Sequence, residues 1–121
     1  MDGKIKELKK EIIYNYIMTK FYIYKIFFTV DPTNILYIGS TNNMSRRKSQ
    51  HKKNTTNRRS KHYHQSLYQY MRLCGGFEKF TIEQIDELEY TNKPERFKKE
   101  QEYINMYKSK LNINKAIFEH C

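Results

Sequence analysis

The run Phe21-Tyr22-Ile23-Tyr24-Lys25-Ile26-Phe27-Phe28 leaves this chain little choice of local structure. Apart from Lys25, every side chain in it is aromatic or β-branched, a composition that loses rotamer freedom in a helix and packs well on a pleated strand. The segment is expected to be a strand largely buried on both faces. Asp31-Pro32-Thr33-Asn34 follows as a turn, because Pro presets its φ and Asn tolerates the left-handed region. Ile35-Leu36-Tyr37-Ile38 then returns as a second strand that ends at Gly39, completing a hairpin.

The rest of the chain alternates helix and strand signals. Residues 3–18 read as an amphipathic helix, with Ile5, Leu8, Ile12, Ile13 and Ile17 recurring mostly at three- and four-residue steps. Three roles are open to it: capping the core, pairing with a second copy, or docking a partner. Asn43 opens a helix through about Lys53, the polar stretch Asn54–Ser60 interrupts it, and a second helix runs from about Lys61 to Leu73. Cys74-Gly75-Gly76 stops that helix. Phe80–Asp86 reads as a third strand with Phe80, Ile82 and Gln84 on one face. The last helix starts near Asn92, with Glu95 as cap partner and Pro94 in the first turn, and ends near Lys108 before Leu111-Asn112-Ile113. Residues 1–19 are a helical extension and 20–121 the one domain. No internal repeat or low-complexity tract is present.

A chain of 121 residues supports one modest core. Its formal charge of +10 and pI near 9.6 point to a polyanionic partner, nucleic acid above all. The distribution says more than the total. Between Asp31 and Glu78 there is no acidic residue, and the gap holds Arg46, Arg47, Lys48, Lys52, Lys53, Arg58, Arg59, Lys61 and Arg72. A surface built only for solubility would interleave both signs, so this segment is expected to contact nucleic-acid phosphates. Cys74 and Cys121 form no disulfide framework, which makes a reducing compartment the default. His62 and His64 have no companions at zinc spacing and read as surface histidines beside the cations. There is no apolar run long enough to span a bilayer and no signal-peptide architecture, so a soluble, intracellular protein without a membrane partner is expected.

Candidate site residues emerge from helical geometry. Phe97, Ile104 and Tyr107 mark a core-facing stripe of the last helix, and Glu100 falls on it. A carboxylate there is costly unless paired, hydrogen-bonded or bound to metal. It is either a rim glutamate paired with a lysine or a ligand for a divalent cation such as Mg²⁺, which often takes only one or two carboxylates. Arg47 and His51 are four apart and share a helix face. The arginine fork suits a phosphate, and a histidine can exchange a proton near pH 7. The alternative is a solvated basic helix touching DNA backbone. Arg46 points about a quarter-turn away.

Tyr24 and Tyr37 stand on the two hairpin strands, where core packing is the ordinary role of tyrosine, yet their phenols can also hold a water or a phosphate oxygen. A tight turn with Val30 opposite Ile35 sets Tyr37 against Phe28, four residues from Tyr24. A longer loop with Ile26 opposite Ile35 sets Tyr24 against Tyr37 on one face. A shared site requires something near the second register.

Read in order, Tyr22-Ile23-Tyr24, Tyr37-Ile38-Gly39, Ser40-Thr41-Asn42-Asn43-Met44 with Arg47 and His51, Glu100 with Ile104, and Leu111-Asn112 resemble the GIY-YIG nuclease family over roughly residues 20–114. One departure is Tyr22, where the family has its first glycine, so strand packing near Tyr24 and the mouth of the cleft are expected to differ. The resemblance implies an α+β fold, a small three-stranded antiparallel sheet flanked by helices, here with an extra N-terminal helix. It implies hydrolysis of DNA phosphodiesters with Mg²⁺ or Mn²⁺ bound by Glu100. Tyr24 would help activate the attacking water as general base, although an unperturbed pKa near 10 makes its deprotonation at neutral pH cost roughly 4 kcal/mol. Arg47 would stabilise transition-state charge, and Tyr37 and His51 would orient water or phosphate, with His51 a second candidate for proton transfer. Asn112 would hydrogen-bond near the site and hold the chain after the last helix, or merely cap the turn there.

Three functions compete on the sequence: a metal-dependent DNA endonuclease, a non-catalytic DNA-binding module of the same fold, and a catalytic subunit recruited by a specificity partner through the N-terminal helix. Glu100 favours the first. The cations Arg46, Lys48, Lys52, Lys53, Arg58, Arg59 and Lys61 supply affinity but do not read sequence.

Overall fold

The aromatic run becomes the middle of a three-stranded antiparallel sheet. In the computed structural model, which describes residues 2–17, 19–90 and 92–113, strand β1 (Thr19–Phe28) lies between β2 (Ile35–Thr41) and β3 (Phe80–Tyr90). The helices are α1 (Asp2–Ile17), α2 (Met44–Thr56), α3 (Ser66–Leu73), α4 (Lys93–Tyr107) and the short α5 (Lys110–Ile113). This is the expected α+β arrangement, with helices on both faces of the sheet.

Alternation along β1 divides the interior in two. Tyr24 and Ile26 enter a cluster with Leu67, Tyr68, Tyr70 and Met71 of α3, together with Phe80 and Ile82 of β3. Ile23 and Phe27 enter a second cluster with Ile35 and Ile38, covered by Tyr103 and Ile104 of α4. Ile23, Ile26 and Ile38 have no exposed surface, and truncating any one to Ala costs about 2–5 kcal/mol.

Two bulges adjust the sheet. On β2 the register shifts between the pairs Ile26–Tyr37 and Phe27–Ile35, leaving Leu36 unpaired; on β3 it shifts between Ile23–Asp86 and Tyr24–Gln84, leaving Ile85 unpaired. Each extra residue re-aims its strand. Leu36 joins the α3-side cluster and Ile85 packs against the α4-side cluster. Several boundaries move from expectation. β2 continues through Gly39 to Thr41, and β3 reaches Tyr90. Gln84 shares the face of Phe80 and Ile82 but is exposed.

The helix expected from Lys61 starts only at Ser66. The carbonyls of Tyr63 and His64 are taken by side chains, Arg72 Nη2 at 2.7 Å and Gln69 Nε2 at 2.7 Å, so they are drawn away from a helical ladder. Gly75 and Gly76, at φ 107° and 103°, stop α3 as expected. Asn92 caps α4 by accepting from the Glu95 amide at 3.0 Å. Lys108, left-handed at φ 51°, then turns the chain back so that α5 lies against β2.

Described side chains of α1 are all exposed, Ile5 by 42% and Leu8 by 53%, so residues 3–10 do not cap the core. The side chains of Ile12, Ile13 and Ile17 lie outside the described residues. Cys74 is disulfide-bonded, which corrects the expectation of a chain without cross-links and removes that ground for a reducing compartment. Among the described residues no helix is long and apolar enough to cross a membrane.

Candidate active site

The register on β2 falls between the two considered from sequence. Tyr24 pairs with Gly39 and Tyr37 with Ile26, so Tyr24 and Tyr37 are diagonal neighbours on one face, with ring centroids 6.4 Å apart. Gly39 makes this possible. A Cβ there would lie 2.5 Å from Tyr24 Cζ, closer than any side chain tolerates, so only glycine lets the phenol cross the backbone of β2. Tyr22 shares this face at the start of the strand, where it pairs with Thr41 and is half-buried. Its backbone is not left-handed, so position 22 makes no conformational demand for the missing glycine.

α2 supplies the next two groups. Its N-cap is Asn43, whose side chain accepts from the Arg46 amide at 2.9 Å. Two turns in, His51 points at the sheet and is 2% exposed. Its Nε2 lies 2.8 Å from Tyr24 Oη and its Nδ1 2.9 Å from Tyr68 Oη. Burial, reinforced by the Arg47 charge, pushes its pKa down from 6.5 to about 4. His51 is therefore neutral at pH 7. Burial raises Tyr24 well above the ordinary phenol value, with Tyr37 adding to the rise and Arg47 opposing it. Tyr37 is pushed up to about 12, by burial first and by Glu100 second. Both are neutral phenols.

Arg47 is half-buried beside these rings, with Nη2 3.5 Å from the Ser40 carbonyl and a buried Nε that has no partner. Ser40 also donates its hydroxyl to Glu100 Oε2 at 2.6 Å. One residue of β2 thus ties the arginine of α2 to the carboxylate of α4. Glu100 is half-buried, and among the described residues it has no ion pair. The stripe that carries it differs from expectation. Phe97 is 55% exposed, and Arg96, Glu100, Tyr103 and Ile104 face inward instead. Arg96 lies over the rings of Phe21 and Phe97 at 4.5 and 4.9 Å, which accounts for an aromatic on the outside.

Asn112 does not reach the cleft. Its Oδ1 accepts from the Ile38 amide at 2.7 Å and its Nδ2 donates to the Ile38 carbonyl at 3.0 Å, fixing β2 between Tyr37 and Gly39. Ser109 donates to the same Oδ1 at 2.6 Å.

A cleft of about 660 Å³ opens from Tyr37, Arg47 and His51 toward Lys53, Arg59 and Lys61, with no acidic residue in its lining. Lys52 and Arg58 are exposed nearby in sequence, and Arg46 and Lys48 lie on the exposed side of α2. Arg72 is excluded from that surface. It donates to the carbonyls of Thr55 and Tyr63 at 3.1 and 2.7 Å and stacks on Tyr63.

Sequence reasoning missed Ser40, Asn54 and Tyr68. Ser40 was within sight, since it alternates with Ile38 toward the α4 side of β2. Tyr68 and Asn54 carried no local signal, because their meeting with His51 depends on how α3 packs on α2.

The arrangement joins two neutral phenols, a neutral imidazole and a half-buried guanidinium, of which Tyr37, His51 and Arg47 line the cationic cleft, and Ser40 ties that guanidinium to the Glu100 carboxylate. Among the described residues no cluster of three or more His, Cys, Asp or Glu could hold a metal; one carboxylate completed by water or substrate oxygens is a pattern natural to Mg²⁺. Comparison with curated proteins and with solved structures returned no match. The family model described as the GIY-YIG catalytic domain matches residues 20–113, and the chain therefore belongs to the GIY-YIG family of nucleases.

Proposed function

We propose that this chain is a divalent-metal-dependent DNA endonuclease. The observation that carries the reading is Glu100, a half-buried carboxylate without a cationic partner among the described residues in a chain of charge +10. A binding module gains nothing from a carboxylate tied through Ser40 to an arginine that lines its cationic cleft. Glu100 would hold Mg²⁺ or Mn²⁺, which would supply polarisation of a phosphate and stabilisation of a leaving oxygen.

The chain's own groups divide the remaining work. Lys53, Arg59 and Lys61 hold the DNA backbone along the cleft, and Arg47, its Nε free to donate, binds the scissile phosphate and offsets charge building there. Tyr24 orients the attacking water and, once its own phenolic proton has been lost to solvent, takes a proton from that water as the phenolate, while Tyr37 hydrogen-bonds the water or a phosphate oxygen. His51 remains neutral and holds the Tyr24 oxygen in place. Asn112 acts through β2 and touches no substrate.

A cleavage assay on linear, nicked and branched DNA with Mg²⁺ tests the reading, comparing wild type with Glu100→Ala. Cutting by wild type alone is expected. Equal cutting by both would remove Glu100 from the mechanism, and cutting by neither would favour a non-catalytic DNA-binding module.

A further inference from the structure

Behind Tyr24 and His51 runs a line of polar groups whose direction can be worked out. Ser60 Oγ lies 2.5 Å from Asn54 Oδ1, and Asn54 Nδ2 lies 3.2 Å from Tyr68 Oη. The short contact suits an O–H···O bond and the longer one an N–H···O bond. A flipped amide would put nitrogen at the short contact, so the distances favour this orientation. The Ser60 oxygen receives the His62 amide at 3.4 Å and donates onward to Asn54.

Asn54 therefore donates to Tyr68. Tyr68 is 5% exposed, and its phenol, at the cleft wall, has one proton of its own to place. Its remaining partner is His51 Nδ1 at 2.9 Å. Tyr68 donates there, so Nδ1 is the acceptor and the single proton of neutral His51 sits on Nε2, 2.8 Å from Tyr24 Oη.

The geometry points to Tyr68 as a positioning residue that fixes the Nε2–H tautomer of His51, so that a one-way chain of donors from Ser60 through Asn54, Tyr68 and His51 ends on the Tyr24 oxygen. It rests on the assignment of Tyr24 as the group that takes the proton from water. Donors aligned in one sense reinforce one another. Their combined dipole favours the phenolate of Tyr24, formed when the phenol releases its proton to solvent ahead of attack, and that phenolate is neutralised as it takes the proton from water. The opposite tautomer would present a lone pair to that oxygen.

The test is the tautomer itself. Long-range ¹H–¹⁵N correlation on the DNA-free full chain at pH 7, with His51 assigned through His51→Gln, is expected to show a protonated Nε2 and a bare Nδ1. A protonated Nδ1 in wild type would overturn the proposal. Asn54→Asp supplies the decisive variant, because the introduced carboxylate can only accept. Tyr68 would then turn its proton toward position 54 and accept from Nδ1–H, reversing the tautomer, and an unchanged Nε2–H signal in that folded variant would refute the chain. Tyr68→Phe is expected to lower kcat about 10- to 100-fold with KM within about twofold, whereas an unaltered kcat would deny Tyr68 any positioning role. The spectra need no DNA, so the tautomer assignment stands or falls whether or not the wild type cuts.

Discussion

The ring of Tyr24 crosses the backbone of Gly39 so closely that a methyl group at position 39 would overlap the phenol. Gly39 is not left-handed, so its requirement is one of space and not of backbone conformation. Gly39→Ala should push the hydroxyl away from His51. A stability loss of about 1–3 kcal/mol is expected from overpacking, with single-turnover cleavage falling about 10²-fold. Thermal melts and single-turnover assays on the same preparation check both effects, and an active, fully stable variant would contradict the packing described.

Glu100→Gln keeps the shape and the acceptor for Ser40 but removes the charge. Cleavage is expected to fall at least about 10³-fold, while DNA affinity rises slightly because a charge of the same sign as phosphate is lost. Chelation of divalent ions should silence wild type to the same degree. Fluorescence-anisotropy binding alongside cleavage separates the two effects; parallel loss of binding and cutting would point to misfolding instead.

His51 links stability to pH. Its folded pKa of about 4 lies below the ordinary 6.5, so on acidification the unfolded chain gains a proton that the folded chain refuses. Stability should fall as pH drops through the window from about 6.5 to 4, by about 3 kcal/mol from this residue. Urea unfolding at several pH values should show that slope, and His51→Gln should flatten it. The cleavage rate should show no inflection near pH 6.5 from His51.

Lys52, Lys53, Arg58, Arg59 and Lys61 are exposed and form no ion pairs among the described residues. Replacing Lys53, Arg59 and Lys61 by Gln should weaken DNA binding uniformly across sequences. For every phosphate that goes unneutralised, the slope of log K against log salt should become shallower by about 0.9. Titrations at several salt concentrations check this, and an unchanged slope would take the cleft lining out of the DNA footprint.

Asn112→Ala should cost about 1–3 kcal/mol by leaving both Ile38 groups without their partner. Asn112→Asp should be at least as harmful, since a second carboxylate oxygen would face the Ile38 carbonyl. Denaturant melts of the two variants give the ranking.

How much of this was legible in the sequence depends on the range of the interaction. The hairpin, the caps at Asn43 and Asn92 and the stop at Gly75-Gly76 are local chemistry, and each stands where it was expected. Tyr24, Tyr37, Arg47, His51 and Glu100 were all named, yet their environments were not. His51 sits in the polar segment Met44–Thr56, whose neighbours are mostly cations and amides, so its sequence context suggests a solvated ring. Burial comes from two tyrosines 27 and 17 residues away. The inward face of α4 was misread by one position, because hydrophobicity alone placed Phe97 inside and could not foresee Arg96 lying across it. The Tyr24–Tyr37 register was bracketed and not fixed, since a bulge at Leu36 has no signature in a run of apolar residues.

The grip of Asn112 on Ile38 has a second consequence. β2 is an outer strand, and the amide and carbonyl that it turns away from β1 are an open invitation to a strand from another molecule. The asparagine occupies both at the midpoint of β2, so an incoming strand could not run in register past Ile38. The residue that steadies the tyrosines also keeps copies of the protein from zipping together edge to edge.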